Sequence, residues 1–205
     1  MKLLYQTHSP YARKVLVMAH EVSIAERLEV IHHETSPTLR NEAVFAANPL
    51  GKVPVLICDD GLILFDSMVI CEYLDGLHSA PRLIPAYGRE RFLALRLQAI
   101  AQGILNAGIA VRWENDRRPM ELRWKAMADG QSEKLLASYD FVEREVDLDG
   151  PLDIGKIALA TALSWIEFRK LPPFKGDRPR LTTWYEAFGK RPSMQATDYS
   201  GATHD

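Results

Sequence analysis

The sequence holds only two cysteines, Cys58 and Cys71, thirteen positions apart. Such a pair fits neither a disulfide framework nor a paired-ligand zinc site, and it points to a reducing, cytoplasmic setting. Net charge is also nearly missing, because 25 lysines and arginines stand against 27 aspartates and glutamates, a formal -2. No global field draws the chain to a polyanion, which disfavours nucleic acid as a partner. Long hydrophobic runs are absent too. The longest mainly apolar stretch, Ile157 to Ile166, falls short of the ~18 residues that cross a bilayer. The opening M-K-L-L-Y-Q-T-H-S-P turns polar after five positions, so no signal-peptide core forms. Neither a membrane nor export is expected.

What is present is an ordinary globular composition, 47% hydrophobic and 25% charged over 205 residues, enough for one large domain or two small ones. Lys2 to Tyr5 alternates as a strand, and Tyr11 to Val22 carries Val15, Met18, Ala19 and Val22 at helical spacing behind Pro10, a good first helical residue. Arg27 to His32 alternates again, and Thr38 to Ala47 has the pattern of a short helix. Val53 to Cys58 and Leu62 to Phe65 flank Asp59-Asp60-Gly61, a hairpin signal in which glycine supplies positive φ. Asp66 to Leu77 is helical, and H-S-A-P-R-L-I-P after it has the prolines of a linker. Strand signals then vanish. Phe92 to Leu105, Leu122 to Val146, Ile154 to Phe168 and Pro179 to Gly189 all carry helical spacing, and the tail from Thr197 is expected to fray. The expected organisation is an α/β domain over 1–78, a linker over 79–88 and an all-helical domain over 89–205.

A βαβ unit followed by a hairpin and a helix is a thioredoxin-like arrangement, in which the turn after the first strand presents a reactive group at a helix N-terminus. Redox members of that fold carry C-P-Y-C there. This chain has Ser9-Pro10-Tyr11-Ala12, so disulfide exchange by that route is excluded.

Four pieces in the right order resemble the cytosolic glutathione transferases, in a bacterial form with a serine in the N-terminal motif. S-P-Y-A-R-K-V is similar to the family's activating turn, N-P-L-G-K-V-P-V-L to its peptide-binding loop, F-D-S-M-V-I-C-E-Y-L to its γ-glutamyl site, and the helical half to its second domain. The combination is far more specific than any one piece. The resemblance implies glutathione as co-substrate, no metal, and thiolate attack on a small electrophile, with a detoxifying role and a homodimeric assembly. The rival is a glutathione-binding regulatory or interaction protein with little turnover, since fold does not guarantee function.

On that resemblance Val53-Pro54 is a cis peptide that leaves the Val53 backbone free to pair with glutathione as an added strand. Asp66 and Ser67 open a helix and receive the γ-glutamyl carboxylate, although both are also ordinary caps. Lys52 reaches the glycyl carboxylate or is simply a solvated loop lysine. Ser9 is the activating group, its hydroxyl donating to the glutathione sulfur and stabilising the thiolate. Tyr5 is its competitor, since other branches use a tyrosine near the end of the first strand. His8 is expected as a solvated loop histidine, and His32-His33 lacks a third metal ligand. The electrophile pocket is assigned to Tyr11 and to Ile109, Arg112, Trp113 and Asp116 of the helical domain, which is also expected to supply dimer contacts. W-E-N-D-R-R-P is either a site for an acidic substrate or a solvated helix end. One departure from the family stands out. D-I-G-K opens the central helix, where Asp153 can cap but Lys156 cannot return the reciprocal bond and opposes the helix dipole.

Overall fold

Strand β1, Lys2–Tyr5, runs into a turn at Ser9 and then into helix α1, Pro10–Glu21, with Pro10 in the first helical turn where no N–H is needed. The computed structural model describes Met1–Tyr199, and these residues divide into two units: Met1–Ile84 with the chain from Pro192 onward, and Pro85–Arg191.

In the first unit a 3-10 turn, Ala25–Arg27, leads from α1 to β2, Glu29–His32. Helix α2, Glu42–Ala47, follows, then β3, Val55–Ile57, β4, Ile63–Leu64, and α3, Ser67–Asp75. The four strands lie in the order β2-β1-β3-β4, with β1 parallel to β2 and antiparallel to β3. The fold is thioredoxin-like, as the element order indicates. Alternation along the strands divides the core. Leu4, Val53 and Val55 pack with Val44 of α2 on one face, while Leu3 and its cross-strand partner Leu56 are fully buried on the other, the side of α3 and of α1 packed against it.

Two local expectations shift. α2 begins at Glu42 rather than Thr38, because Asn41 takes the cap, its Oδ1 accepting from the Val44 N–H at 3.2 Å. Thr38 is held instead in a turn by the Ser36 hydroxyl. β3 begins only at Val55, after Pro54, which has no N–H to give to a ladder. The turn at Gly61 has φ +86, as the hairpin signal requires.

The second unit is all helical: α4, Gly88–Arg112, closed by a π-helical turn, Trp113–Arg117, then a 3-10 turn, Met120–Leu122, and α5, Lys125–Glu145, α6, Ile154–Phe168, and α7, Pro179–Phe188. α6 is buried nearly all round and packs on α4. Gly155 makes this approach possible, since a Cβ there would lie 2.5 Å from the Ala94 carbonyl oxygen of α4. Asp153 caps α6 through the Lys156 N–H at 2.9 Å. Lys156 does not sit exposed against the dipole, because its buried ammonium donates to the Pro151 carbonyl at 2.9 Å. The stretch Gly88–Arg117 is long and apolar enough to cross a membrane by length and composition. It is nonetheless a core element of this unit, burying Leu97, Ala101, Ile104 and Leu105 against α5 and α6.

Helix α8, Pro192–Gln195, returns to the first unit and lies on α1. The sequence pattern assigns this segment to the end of the helical domain, with fraying from Thr197. Instead Thr197 is buried and its hydroxyl donates to the Ser193 carbonyl at 2.8 Å. Residues 200–205 of that expected tail lie outside the described residues.

Candidate active site

Ser9 stands between β1 and α1 in extended backbone, φ -80 and ψ 114, and caps the helix by accepting the Ala12 N–H at 3.2 Å. Its own N–H donates to the Gln6 carbonyl at 2.9 Å, which tightens the turn. Among the described residues no acceptor takes the Ser9 hydroxyl proton, so the same oxygen that caps the helix can still donate outward. Tyr5 is placed differently. Its phenol donates to the Thr7 carbonyl at 3.1 Å, and burial, against a smaller pull from Arg13, pushes its pKa up.

At the start of α3, Asp66 accepts the Met68 N–H at 3.0 Å, a cap made by an exposed carboxylate. Ser67 is the first helical residue, 1% exposed, and its hydroxyl has no hydrogen-bond partner among the described residues. Buried hydroxyls are rarely left so. β1 and β4 both run antiparallel to β3, and the helices that follow them, α1 and α3, pack together, so the two turns lie at one end of the layer. Burial first, and then the Asp66 charge, raises the Tyr11 phenol, so Tyr11 lies within electrostatic reach of the α3 cap. Three residues on, Lys14 is buried between the same helices. Burial lowers its pKa, while Cys71 and Asp66 partly restore it.

The loop before β3 supplies a third edge. The Val53-Pro54 bond is cis. Among the described residues neither the N–H nor the C=O of Val53 pairs with another backbone group, whereas Val55 is already in register with Leu4. Asn48, which sequence reasoning passed over inside N-P-L-G-K, holds this loop: its Oδ1 accepts from the Leu50 N–H at 3.0 Å and its Nδ2 donates to the Lys52 carbonyl at 2.8 Å. Gly51 completes the turn at φ +63, with the Phe45 ring where a side chain would stand. The Lys52 side chain is exposed.

Ser9, Tyr11, Asp66 and Ser67 therefore gather where α1 and α3 begin. The remaining candidates lie on the other unit. Ile109 and Trp113 are half-buried, Arg112 is buried on α4, and Asp116 is exposed in the π-helical turn. In W-E-N-D-R-R-P, Arg117 and Arg118 are exposed, and a buried carboxylate stands beside them. Glu114 is buried, accepts the Trp124 N–H at 2.9 Å and pairs with Arg118 at 2.7 Å, and these bonds hold its carboxyl below the usual range. The segment is a latch between two turns. His8 is buried rather than solvated. His32 bonds Thr7 and Glu34, and among the described residues no three His, Cys, Asp or Glu side chains form a metal cluster.

Lys14 and Arg13 were also missed. The available signal was that positions 11, 14, 15 and 18 form one helical stripe, which makes Lys14 an inward-facing lysine.

A model of the glutathione S-transferase N-terminal domain matches residues 8–77. An uncharacterized GST-like protein of Escherichia coli, YibF, is 32% identical over 204 residues, covering 97% of this chain and 98% of the relative. Among solved structures, a glutathione transferase family member from Pseudomonas fluorescens with bound glutathione superposes with TM-score 0.94 at 38% identity, over 98% of this chain and 99% of its own. A glutathione S-transferase from Methylobacillus flagellatus with glutathione bound gives 0.84 at 33%, over 97% and 99%. With this full-length similarity added to a thioredoxin-like unit and a helical unit, the chain belongs to the glutathione S-transferase family.

Proposed function

We propose that the chain binds glutathione along the Val53 edge and the Asp66-Ser67 helix start, and transfers its thiolate to a small electrophile with Ser9 as the activating residue. The observation that carries this reading is the Ser67 hydroxyl, buried and unpartnered at the first turn of α3. A buried hydroxyl beside free helical N–H groups suits a carboxylate, which would restore its missing bond. The bound glutathione in the Pseudomonas and Methylobacillus relatives supports the choice of ligand.

The chemistry then follows from the turn at Ser9. A hydroxyl donating to sulfur favours the thiolate over the thiol and lowers the thiol pKa from about 8.5. The proton leaves to solvent, the sulfur lone pair forms the new bond to carbon, and a displaced group departs with its electron pair. Tyr11 flanks that position. Ile109, Arg112, Trp113 and Asp116 are assigned to the electrophile on the family resemblance, as are cytoplasmic location, homodimeric assembly and a detoxifying role.

Calorimetric titration with glutathione, followed through the pH dependence of thiolate absorbance, tests the reading. Saturable binding with a bound thiol that ionises below the free value, and turnover within a varied electrophile panel, is the expected result. Saturable binding with no turnover would favour a glutathione-dependent regulator. No binding would end both readings.

A further inference from the structure

Residues 192–199 run the whole length of α1. At one end the Ser193 hydroxyl donates to Glu21 Oε1 at 2.5 Å, in the last turn of the helix. At the other end the Tyr199 ring lies 6.5 Å from the ring of His8, the residue before Ser9. Between them sits Arg13, 2% exposed. Its Nη2 donates to the Met194 carbonyl at 3.0 Å and its Nε to the Thr197 hydroxyl at 3.3 Å. Asp198 stands 3.6 Å from the same Nη2, and the guanidinium lies 4.4 Å from the centre of the Tyr199 ring.

A buried guanidinium must have its donors satisfied, because an uncompensated buried charge is expensive. Arg13 is satisfied in large part by groups about 180 residues away in sequence. It also belongs to the activating turn, since its N–H donates to the Ser9 carbonyl at 3.0 Å. Anything that moves Arg13 therefore moves the backbone carrying the Ser9 hydroxyl. Catalytic geometry tolerates about 0.5 Å of error before it loses effect.

We propose that residues 192–199 act as a strap that positions the Ser9 turn, with Arg13 and Tyr199 as positioning residues that never touch glutathione. This rests on the reading of Ser9 as the thiolate-activating group. The strap acts on the sulfur end of the site alone, because Val53 and Ser67 are held by other contacts, the Asn48 loop and the α3 cap.

The test compares Tyr199→Ala, Arg13→Lys, Arg13→Met and Ser9→Ala, each checked for folding by circular dichroism and a thermal melt. Glutathione affinity is read by calorimetry and thiol ionisation by ultraviolet titration. Tyr199→Ala should keep its dissociation constant for glutathione within about twofold, while its thiol midpoint moves toward 8.5 and kcat falls by roughly three- to tenfold with KM for glutathione unchanged. Arg13→Lys, which can still donate to the Met194 carbonyl, should fall between wild type and Arg13→Met. If Arg13→Met does not fold, Tyr199→Ala and Arg13→Lys carry the comparison. A folded Tyr199→Ala protein that titrates like wild type, while Ser9→Ala shifts the midpoint, overturns the strap and leaves the proposed function standing. A Ser9→Ala protein that titrates like wild type removes Ser9 from the chemistry, and the strap with it.

Discussion

The Tyr5 phenol donates its proton to the Thr7 carbonyl, 3.1 Å away and two residues on, and this bond turns the hydroxyl back along its own chain. The Ser9 hydroxyl makes the opposite use of its oxygen, accepting the Ala12 N–H and keeping its proton for another acceptor. Tyr5→Phe should therefore leave the titration of bound glutathione unchanged and cost about 0.5–1.5 kcal/mol of stability for the lost bond. Ser9→Ala should raise the thiol midpoint toward the free value and slow turnover at neutral pH. Ultraviolet titration of both variants checks this, and a shift in Tyr5→Phe alone would reverse the assignment.

Ser67→Ala separates binding from folding. The hydroxyl has no partner among the described residues, so its removal should leave the stability of the free protein unchanged or slightly raised. Glutathione binding should weaken at least tenfold, because a hydrogen bond to a carboxylate contributes about 1.5–3 kcal/mol. Calorimetry beside a thermal melt reads both quantities on one sample. A fall in melting temperature with unchanged affinity would mean that the hydroxyl serves the fold.

Gly155→Ala should loosen the second unit. The added methyl would meet the Ala94 carbonyl oxygen at 2.5 Å and Leu97 Cβ at 2.7 Å, atoms of the facing helix rather than of a flexible side-chain end. Forced overpacking of this kind costs about 1–3 kcal/mol. Urea unfolding monitored by tryptophan fluorescence should show a lower midpoint, and a midpoint equal to wild type would show that α4 and α6 separate at no cost.

Cys71 makes stability depend on pH in the alkaline range. Burial pushes its thiol from 9.0 up to about 11, with Lys14 pulling the other way. Between those values the unfolded chain has lost the proton that the folded chain keeps, so stability falls as pH rises through the window. Lys14 works in the opposite sense. Its lowered native pKa means that the folded state gives up a proton sooner, so its own contribution improves with rising pH until the unfolded lysine titrates. Urea unfolding of wild type and Cys71→Ala from about pH 8 to 11 should differ in slope, with wild type declining more steeply above 9. Equal slopes would show that the thiol is not buried as described. At neutral pH the native thiol should resist alkylation and react only on unfolding.

The sequence alone determined whatever depends on residues a few positions apart. Caps at Ser9, Asp66 and Asp153 each satisfy a donor two or three residues ahead, and the turn at Gly61 needs only its own φ, so these features were legible without any fold. The limits of α6, Ile154–Phe168, followed from its nearly unbroken apolar pattern. The family resemblance added the order of the motifs. Tertiary structure decided the rest, because those features depend on groups far apart in the chain. Nothing near S-P-Y-A-R-K-V says that Arg13 is satisfied by Met194 and Thr197, or that a segment following the helical domain returns to α1. Lys156 looked unfavourable beside the dipole of α6 until the fold supplied the Pro151 carbonyl. W-E-N-D-R-R-P did not show that Glu114 is buried and paired with the exposed Arg118. A charged side chain states its sign in the sequence, but whether that charge faces water, a partner or a ligand depends on contacts that only the folded chain brings together.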